Sequence, residues 1–177
     1  DEVYEEFSKA YFNIFNRWGI DVIKVAADSG AIGGKVSSEF ISIAENGEDT
    51  ILKCDECLYA ANEEKAEFKK IIKNDSENVM EKSEKETPNI KSIQDLTNFF
   101  SLDAHYFIKT MVYFSGKKPI LVSLAGDLEV NETKLRNLLG DDVRLADNDE
   151  IIQLGLVPGF ISPINNDFDL IVDDSIN

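Results

Sequence analysis

Two glycine-containing loops are the part of this chain best suited to bind a polar ligand. Gly126-Asp127 follows an apolar run, and Pro158-Gly159 opens a second loop that continues to Pro163. Backbone N–H groups in glycine-rich loops are available donors for carbonyl or anionic oxygen atoms. We therefore expect the two loops to face one pocket, with their backbone N–H groups open to a ligand.

Strands and capped helices are expected around these loops. Residues 110–114 and 119–124 have the apolar character and length of strands, and Lys117-Lys118 forms a turn between them. Ser92 with Asp95, and Asp147 with Glu150, have the spacing of capping boxes. Asn131 and Gly140 delimit a third helix, a short helix covers 103–109, and residues 170–172 form the last strand.

The first part of the chain is expected to begin with an amphipathic helix over residues 2–18. Its apolar residues recur at helical spacing and are predicted to pack into a core: Val3, Phe7, Tyr11, Ile14 and Trp18. Strands are predicted at 22–27, 39–44 and 50–54. Asn46-Gly47 predicts that the second and third of these form a hairpin, and Asn62 predicts the start of another helix.

Charge limits the class of partner. The chain has 34 acidic and 18 basic residues, a net charge of −16, and no segment of it is basic. Phosphate contacts require clusters of Lys and Arg, so a free-standing nucleic-acid-binding protein is disfavoured. No apolar run has membrane-spanning length and no secretory signal opens the chain, so we expect a cytoplasmic protein without a membrane partner.

Other motifs that carry chemistry are weak. Cys54 and Cys57 form a single C-x-x-C, and with one distant histidine, His105, they favour reduced thiols over a metal site. His105 itself is expected at the surface or in the core with a hydrogen-bond partner. The acidic residues between 141 and 150 indicate a solvated face with helix caps, and no P-loop or H-E-x-x-H is present.

Three segments together resemble one known family. GDLEVNETKL and GLVPGFISPIN are similar to the editing domain inserted in bacterial-type prolyl-tRNA synthetases, a family that includes free-standing deacylases of mischarged tRNA. ADSGAIGGKVSSEFISIAENGEDTILKCDECLYAANEEKA resembles the synthetase core that follows motif 2. These segments cover most of the chain.

The resemblance implies an α+β fold in two parts. Residues 1–65 would be a segment of the antiparallel class II catalytic sheet, 66–88 a linker, and 89–177 a mixed-sheet editing domain flanked by helices. The parent would be a homodimeric ligase that binds proline, ATP with Mg²⁺, and tRNA(Pro). The fragment itself would hold no cofactor, and without motifs 1 and 3 it is not expected to aminoacylate tRNA.

The resemblance also implies site residues. The editing pocket would be shaped by Gly126, Asp127, Gly159, Ser162 and Asp173, and would remove alanine from tRNA(Pro) while excluding the larger proline. Asp28 and Glu48 would line the proline-activation site. From the residues alone, a turn role for Asp28 and a hairpin role for Glu48 remain open.

Two positions depart from the family pattern. Phe114 aligns with a lysine that helps hold the tRNA end, and Ser162 stands at the second glycine of the PG-x-x-GP loop. A phenylalanine offers no charge, and a serine disfavours positive φ. We therefore expect an editing fold whose activity is weakened. The alternatives are a structural, non-hydrolytic insertion that supports the parent ligase and, less favoured, a free-standing trans-editing or binding protein.

Overall fold

The computed structural model describes residues 2–30, 33–34, 36–67, 83–164 and 166–176. The chain divides into two compact units, Asp1–Phe68 and Lys69–Asn177. Most of the predicted linker, residues 68–82, lies outside the described residues. The predicted domain limits therefore stay a prediction.

The first unit contains one helix and a four-stranded sheet. Its elements are α1 (Glu2–Arg17), β1 (Ile23–Ala27), β2 (Ser37–Ile41), β3 (Ile51–Lys53) and β4 (Ala60–Asn62), and the strand order is β2-β1-β4-β3. Two pairings are antiparallel, as expected for the catalytic sheet, but β1 and β4 are parallel at Ala26 and Ala61. The sheet is therefore mixed rather than wholly antiparallel.

The predicted hairpin around Asn46-Gly47 is wrong. Gly47 does close a turn by donating to the Ala44 carbonyl over 3.2 Å, yet β2 pairs with β1 and β3 pairs with β4. The fully buried Ala61 lies between Ala26 and Leu52, so the tertiary arrangement gives β3 a different neighbour. The helix predicted from Asn62 is a turn over 63–65.

Helix α1 packs on β2 through Phe12 and Phe15, which lie outside the predicted stripe, and through Tyr11, which belongs to it. Tyr11, Phe12 and Phe15 contact the Phe40 ring of β2, with centroids 5.2, 4.9 and 6.4 Å away. Ser8 is buried and accepts a 2.9 Å hydrogen bond from Lys24. The predicted core stripe instead remains between 41% and 68% exposed: Val3, Phe7, Tyr11, Ile14 and Trp18.

The second unit is a mixed sheet with helices on its faces. Its elements are α2 (Ile93–Phe100), a 3-10 helix (Ala104–Tyr106), β5 (Ile108–Ser115), β6 (Lys118–Ala125), α3 (Glu132–Leu139), β7 (Val143–Leu145), α4 (Asn148–Gln153) and β8 (Asp169–Val172). The strand order is β7-β5-β6-β8, antiparallel except for the parallel pair β6 and β8. The α+β class is confirmed.

Two apolar clusters hold this sheet. Along β5 and β6 the side chains alternate between faces, so Tyr113 and Val122 join α3 in one cluster, whereas Val112 and Leu121 join α4 in the other. The second cluster also includes Ile161 from the Pro-Gly loop. One face of the sheet therefore holds that loop.

The predicted helix caps of this unit are confirmed. Ser92 accepts from the Asp95 N–H and Asp147 accepts from the Glu150 N–H, each with the reciprocal bond of a capping box. The Asn131 side chain accepts from the Lys134 N–H over 3.0 Å, and Gly140 ends α3 with φ of 70°. Local sequence thus fixes where these helices begin.

Candidate functional site

Gly126, Asp127 and Asp173 lie at one edge of the second sheet. Gly126 and Asp127 directly follow β6, and the parallel β8 ends beside them at Val172. The Asp173 N–H donates to the Ser123 carbonyl over 2.8 Å, and the Ala125 N–H donates to the Ser175 hydroxyl over 3.1 Å. Exposed Asp127 and half-buried Asp173 therefore lie at the same edge of the sheet, just after β6 and β8.

Gly126 is needed there for close packing. A Cβ at this position would lie 2.6 Å from the Ala104 carbonyl oxygen and 3.0 Å from the Ile93 side chain. Its N–H donates to the Phe107 carbonyl over 2.8 Å. The prediction that this N–H is open to a ligand is therefore wrong, because the carbonyl of Phe107, the residue after the 3-10 helix, accepts its hydrogen bond.

Gly159 sits in a tight turn beside Lys91, just before α2. Phe160 donates to the Val157 carbonyl over 2.9 Å, with Pro158 and Gly159 at the central positions and Gly159 at φ of 84°. Proline followed by a positive-φ glycine is the pattern of a type II turn.

Both glycines contact residues at the start of α2. A Cβ on Gly159 would lie 3.3 Å from the Lys91 Cβ, and Gly126 packs on Ile93, two residues further along. The two glycine loops therefore approach residues on either side of the N-cap of α2, and the prediction that they face one pocket stays a prediction.

Ser162 belongs to the hydrogen bonding of its own loop. Its hydroxyl accepts from the Ile164 N–H over 3.2 Å, and its carbonyl accepts from the Asn166 side chain over 3.0 Å. Among the described residues, the non-glycine residues with positive φ are Asn89 and Ser101. The serine therefore does not occupy a backbone conformation that demands glycine.

Phe114 lies far along β5 from the sheet edge formed by Gly126, Asp127 and Asp173, which we call the glycine edge. It pairs with Pro119, whereas Ile108 pairs with Ala125 at the other end of the hairpin. At about 3.3 Å per residue, the six-residue separation corresponds to roughly 20 Å. Its ring packs on the apolar cluster with α4, and the Arg144 guanidinium lies 4.6 Å above it. A lysine expected at this position would lie far from Gly126, so Phe114 removes no charge from that edge.

Lys109 is a cation close to that edge, and the sequence analysis did not single it out. It pairs with Leu124, two residues before Gly126, and its ammonium contacts the Glu129 carboxylate at 2.7 Å. Its side chain is 19% exposed, so the charge is partly shielded from water. The Lys-Thr dipeptide at 109–110 was the available signal.

A buried hydroxyl pair lies on the opposite face of the same strands and was also missed. The Thr110 and Ser123 hydroxyl oxygens are 2.9 Å apart, and Ser123 is 1% exposed. Both follow the alternation of Val112 and Leu121, so they continue the apolar cluster that holds the Pro-Gly loop. Only the strand register could have identified this pair.

Arg144 and Glu150 form a bidentate ion pair. The guanidinium donates to both carboxylate oxygens, at 2.8 and 2.6 Å. This pairing and the Asp147 N–H lower the pKa of Glu150 to about 2, and Glu150 in turn raises the pKa of Arg144. The pair ties β7 to the first turn of α4.

The structure places Asp28 and Glu48 at the same edge of the first sheet. Asp28 follows β1, Glu48 precedes β3, and the parallel pairing of β1 with β4 brings these strand ends to one side. The Asp28 carboxylate accepts from the Gly30 N–H over 2.8 Å, which is the turn role that the residues alone allowed. Glu48 is exposed.

His105 does not match its expectation. It is half-buried, its Nε2 atom is inaccessible to solvent, and this atom has no hydrogen-bond partner within the described part of the chain. Within the same residues, no group of three or more His, Cys, Asp or Glu side chains is placed to hold a metal ion. No described helix is both long and apolar enough to cross a membrane.

Comparison with known proteins identifies the class. The profile of the aminoacyl-tRNA editing domain matches residues 87–177, which contain the whole glycine edge. The chain belongs to the aminoacyl-tRNA editing domain family.

The similar full-length proteins belong to a narrower group, the proline–tRNA ligases. The chain is 42% identical to a proline–tRNA ligase of Dehalococcoides mccartyi over 99% of its own length and 31% of the relative. It is 42% identical to that of Bacillus subtilis, over 99% of this chain and 32% of the relative. For Brachyspira hyodysenteriae the identity is 45%, over 93% and 29%. The chain thus spans about a third of the length of these ligases.

One similar solved structure is a protein proposed to be a trans-editing enzyme for prolyl tRNA synthetase. It is 19% identical, with a TM-score of 0.45, over 49% of this chain and 57% of that one. The resemblance to prolyl-tRNA synthetase found in the sequence is confirmed by the ligase relatives and the family profile.

Proposed function

We propose that this chain is the part of a cytoplasmic proline–tRNA ligase that carries the inserted editing domain, and that residues 89–177 hydrolyse alanine from mischarged tRNA(Pro). The observation that carries the proposal is the 42% identity to proline–tRNA ligases over 99% of the chain. The parent ligase would bind proline, ATP and Mg²⁺ as a homodimer and hold most of the tRNA, because this acidic chain offers few cations for phosphates.

The proposed reaction requires little from side chains. Water adds to the ester carbonyl carbon, the bond to the ribose oxygen breaks, and that oxygen takes a proton to leave free alanine and tRNA. The site would lie where Gly126, Asp127 and Asp173 meet the Gly159 turn at the start of α2. Residues already pack closely around Gly126 and Gly159. The size of the amino acid on the tRNA would therefore discriminate alanine from the larger proline.

Lys109 is the cation that we assign to holding the tRNA end. Its ammonium lies on Glu129 near Gly126, whereas Phe114, at the position aligned with the family lysine, lies at the far end of β5. A phosphate could replace Glu129 as its partner, since both are anions. Weakened editing is therefore not required by Phe114.

The test compares two lysines in the full-length ligase. We expect Lys109→Met to slow deacylation of alanylated tRNA(Pro) by about 10- to 100-fold, the loss of one charge-assisted contact. Lys118→Met is the matched control, since Lys118 pairs with Asp169 at the opposite end of the same hairpin. Equal rates for the two variants would remove Lys109 from the site.

A structural, non-hydrolytic insertion is the second candidate. It is favoured by the occupied Gly126 N–H. This candidate predicts no hydrolysis by the wild-type ligase, no gain from Phe114→Lys, and a loss of prolylation when the packing at Gly126 is disturbed.

Asp28 and Glu48 are proposed to line the proline-activation site of the parent ligase. Their shared sheet edge supports this role. Asp28→Asn and Glu48→Gln in the full-length enzyme should raise KM for proline in ATP–pyrophosphate exchange. Unchanged constants would leave Asp28 with its turn role alone.

A further inference from the structure

The loop from Cys54 to Tyr59 joins β3 to β4 and carries both cysteines of the chain. Lys53 pairs with Ala60 at its base, and the Cys54 N–H donates to the Tyr59 carbonyl over 2.9 Å. Between these points the chain bends through residues 55–58. Both thiols therefore lie on one short, closed turn.

Cys54 and Cys57 lie three residues apart on this closed turn. The Glu56 N–H, the Cys57 thiol and the Cys57 N–H lower the pKa of the Cys54 thiol. Donors directed at sulfur stabilise the thiolate, which is the reactive form. Cys57 is exposed and Cys54 is half-buried, so a soluble oxidant can reach the pair.

We propose that Cys54 and Cys57 form a reversible disulfide, which makes this loop a redox modification site separate from the editing function. A metal site is the competing use of two neighbouring thiolates, and a zinc ion needs further protein ligands. Among the described residues, no third His, Cys, Asp or Glu side chain is grouped with them for this purpose.

The oxidant is a low-molecular-weight disulfide such as oxidised glutathione. The Cys54 thiolate attacks one of its sulfur atoms, the S–S bond of the oxidant breaks, and one thiolate leaves. The Cys57 thiolate then attacks the Cys54 sulfur of the mixed disulfide and expels the second thiolate. Overall the protein loses two electrons and two protons, and the oxidant becomes two thiols.

The experiment equilibrates the chain in buffers of reduced and oxidised glutathione and measures intact mass after acid quenching. We expect the loss of two hydrogen atoms, with little protein–glutathione adduct. Cys54→Ser and Cys57→Ser should each abolish this loss and accumulate the adduct instead. The closed turn holds the thiols together, so the equilibrium constant should be several-fold higher for the folded chain than in urea.

Three results would overturn the proposal. The first is the persistence of two free thiols in buffers dominated by oxidised glutathione. The second is one equilibrium constant shared by folded and urea-unfolded chains, which would mean that the turn contributes nothing. The third is tight binding of zinc, added alone, through both thiols with a block of oxidation, which would assign the loop to a metal. None of these measurements depends on deacylation.

Discussion

At the scale of single residues, the glycine edge depends on close approach. Gly126 leaves room for the Ala104 carbonyl and for Ile93, and its N–H is already bonded to Phe107. Gly126 would therefore contribute to a pocket indirectly, by allowing Ala104 and Ile93 to pack close to it. Asp127, which is exposed beside it, has no comparable packing role.

Gly126→Ala should destabilise the second unit by about 1–3 kcal/mol, because the new Cβ overlaps a backbone oxygen that cannot rotate away. Urea unfolding followed by circular dichroism measures this. Asp127→Ala is the control and should stay within about 0.5 kcal/mol of the wild type. A neutral Gly126→Ala would mean that the 3-10 helix moves freely.

The Arg144–Glu150 pair predicts a pH dependence. Pairing lowers the pKa of Glu150 from 4.5 to about 2, so the pair stabilises the folded chain above pH 4.5 and this stabilisation is lost as the pH falls towards 2. Glu150→Gln should therefore lower the urea midpoint at neutral pH, and its difference from the wild type should shrink over that range.

Arg144→Gln should reproduce that behaviour, because it removes the other half of the pair. The double variant should be no less stable than either single variant at neutral pH. If the difference in urea midpoint between variant and wild type stayed constant down to pH 2, the Arg144–Glu150 pair would not be the source of the pH dependence.

At the scale of elements, α2 connects the two glycine loops. Its first residue, Ile93, contacts Gly126, Lys91 just before the N-cap contacts Gly159, and the Ser92–Asp95 capping box fixes where the helix begins. The hydrogen bonds from Ser92 also lower the pKa of Asp95. The cap therefore fixes the start of the helix whose first residue, Ile93, packs against Gly126.

Ser92→Ala should cost about 1 kcal/mol by removal of the cap, and it should slow deacylation because the start of α2 frays. Urea unfolding and the alanylated-tRNA assay check the two effects. Ser83→Ala, at an exposed position before the helix, is the control. Full stability with slowed deacylation would instead indicate direct contact between Ser92 and the substrate.

At the scale of the whole molecule, each unit has its own sheet and its own buried residues. Val25 and Leu121 are both fully buried, one in each unit. The net charge of −16 spreads over both units.

Leu121→Ala should weaken hydrogen-exchange protection along Lys118–Ala125 by the equivalent of about 2–5 kcal/mol, and Val25→Ala should act on Ile23–Ala27. Each variant is the control for the other. Loss of protection in both sheets from either substitution would show that the units unfold as one.

The sequence by itself determined the local features of this protein. Caps at Ser92, Asn131 and Asp147, the Gly140 terminus and the Pro158-Gly159 turn depend on residues within a few positions of each other. Each of these interactions is specified by residues that are neighbours in the sequence. The family resemblance was likewise readable from short motifs.

Only the tertiary structure decided which distant segments meet. It paired β3 with β4 rather than β2, packed Phe12 and Phe15 of α1 against β2, and joined the Gly126 N–H to the Phe107 carbonyl. It also placed Lys109 near Gly126 and Phe114 far from it. Strand partners and exposed faces depend on packing between remote residues, which local periodicity does not specify.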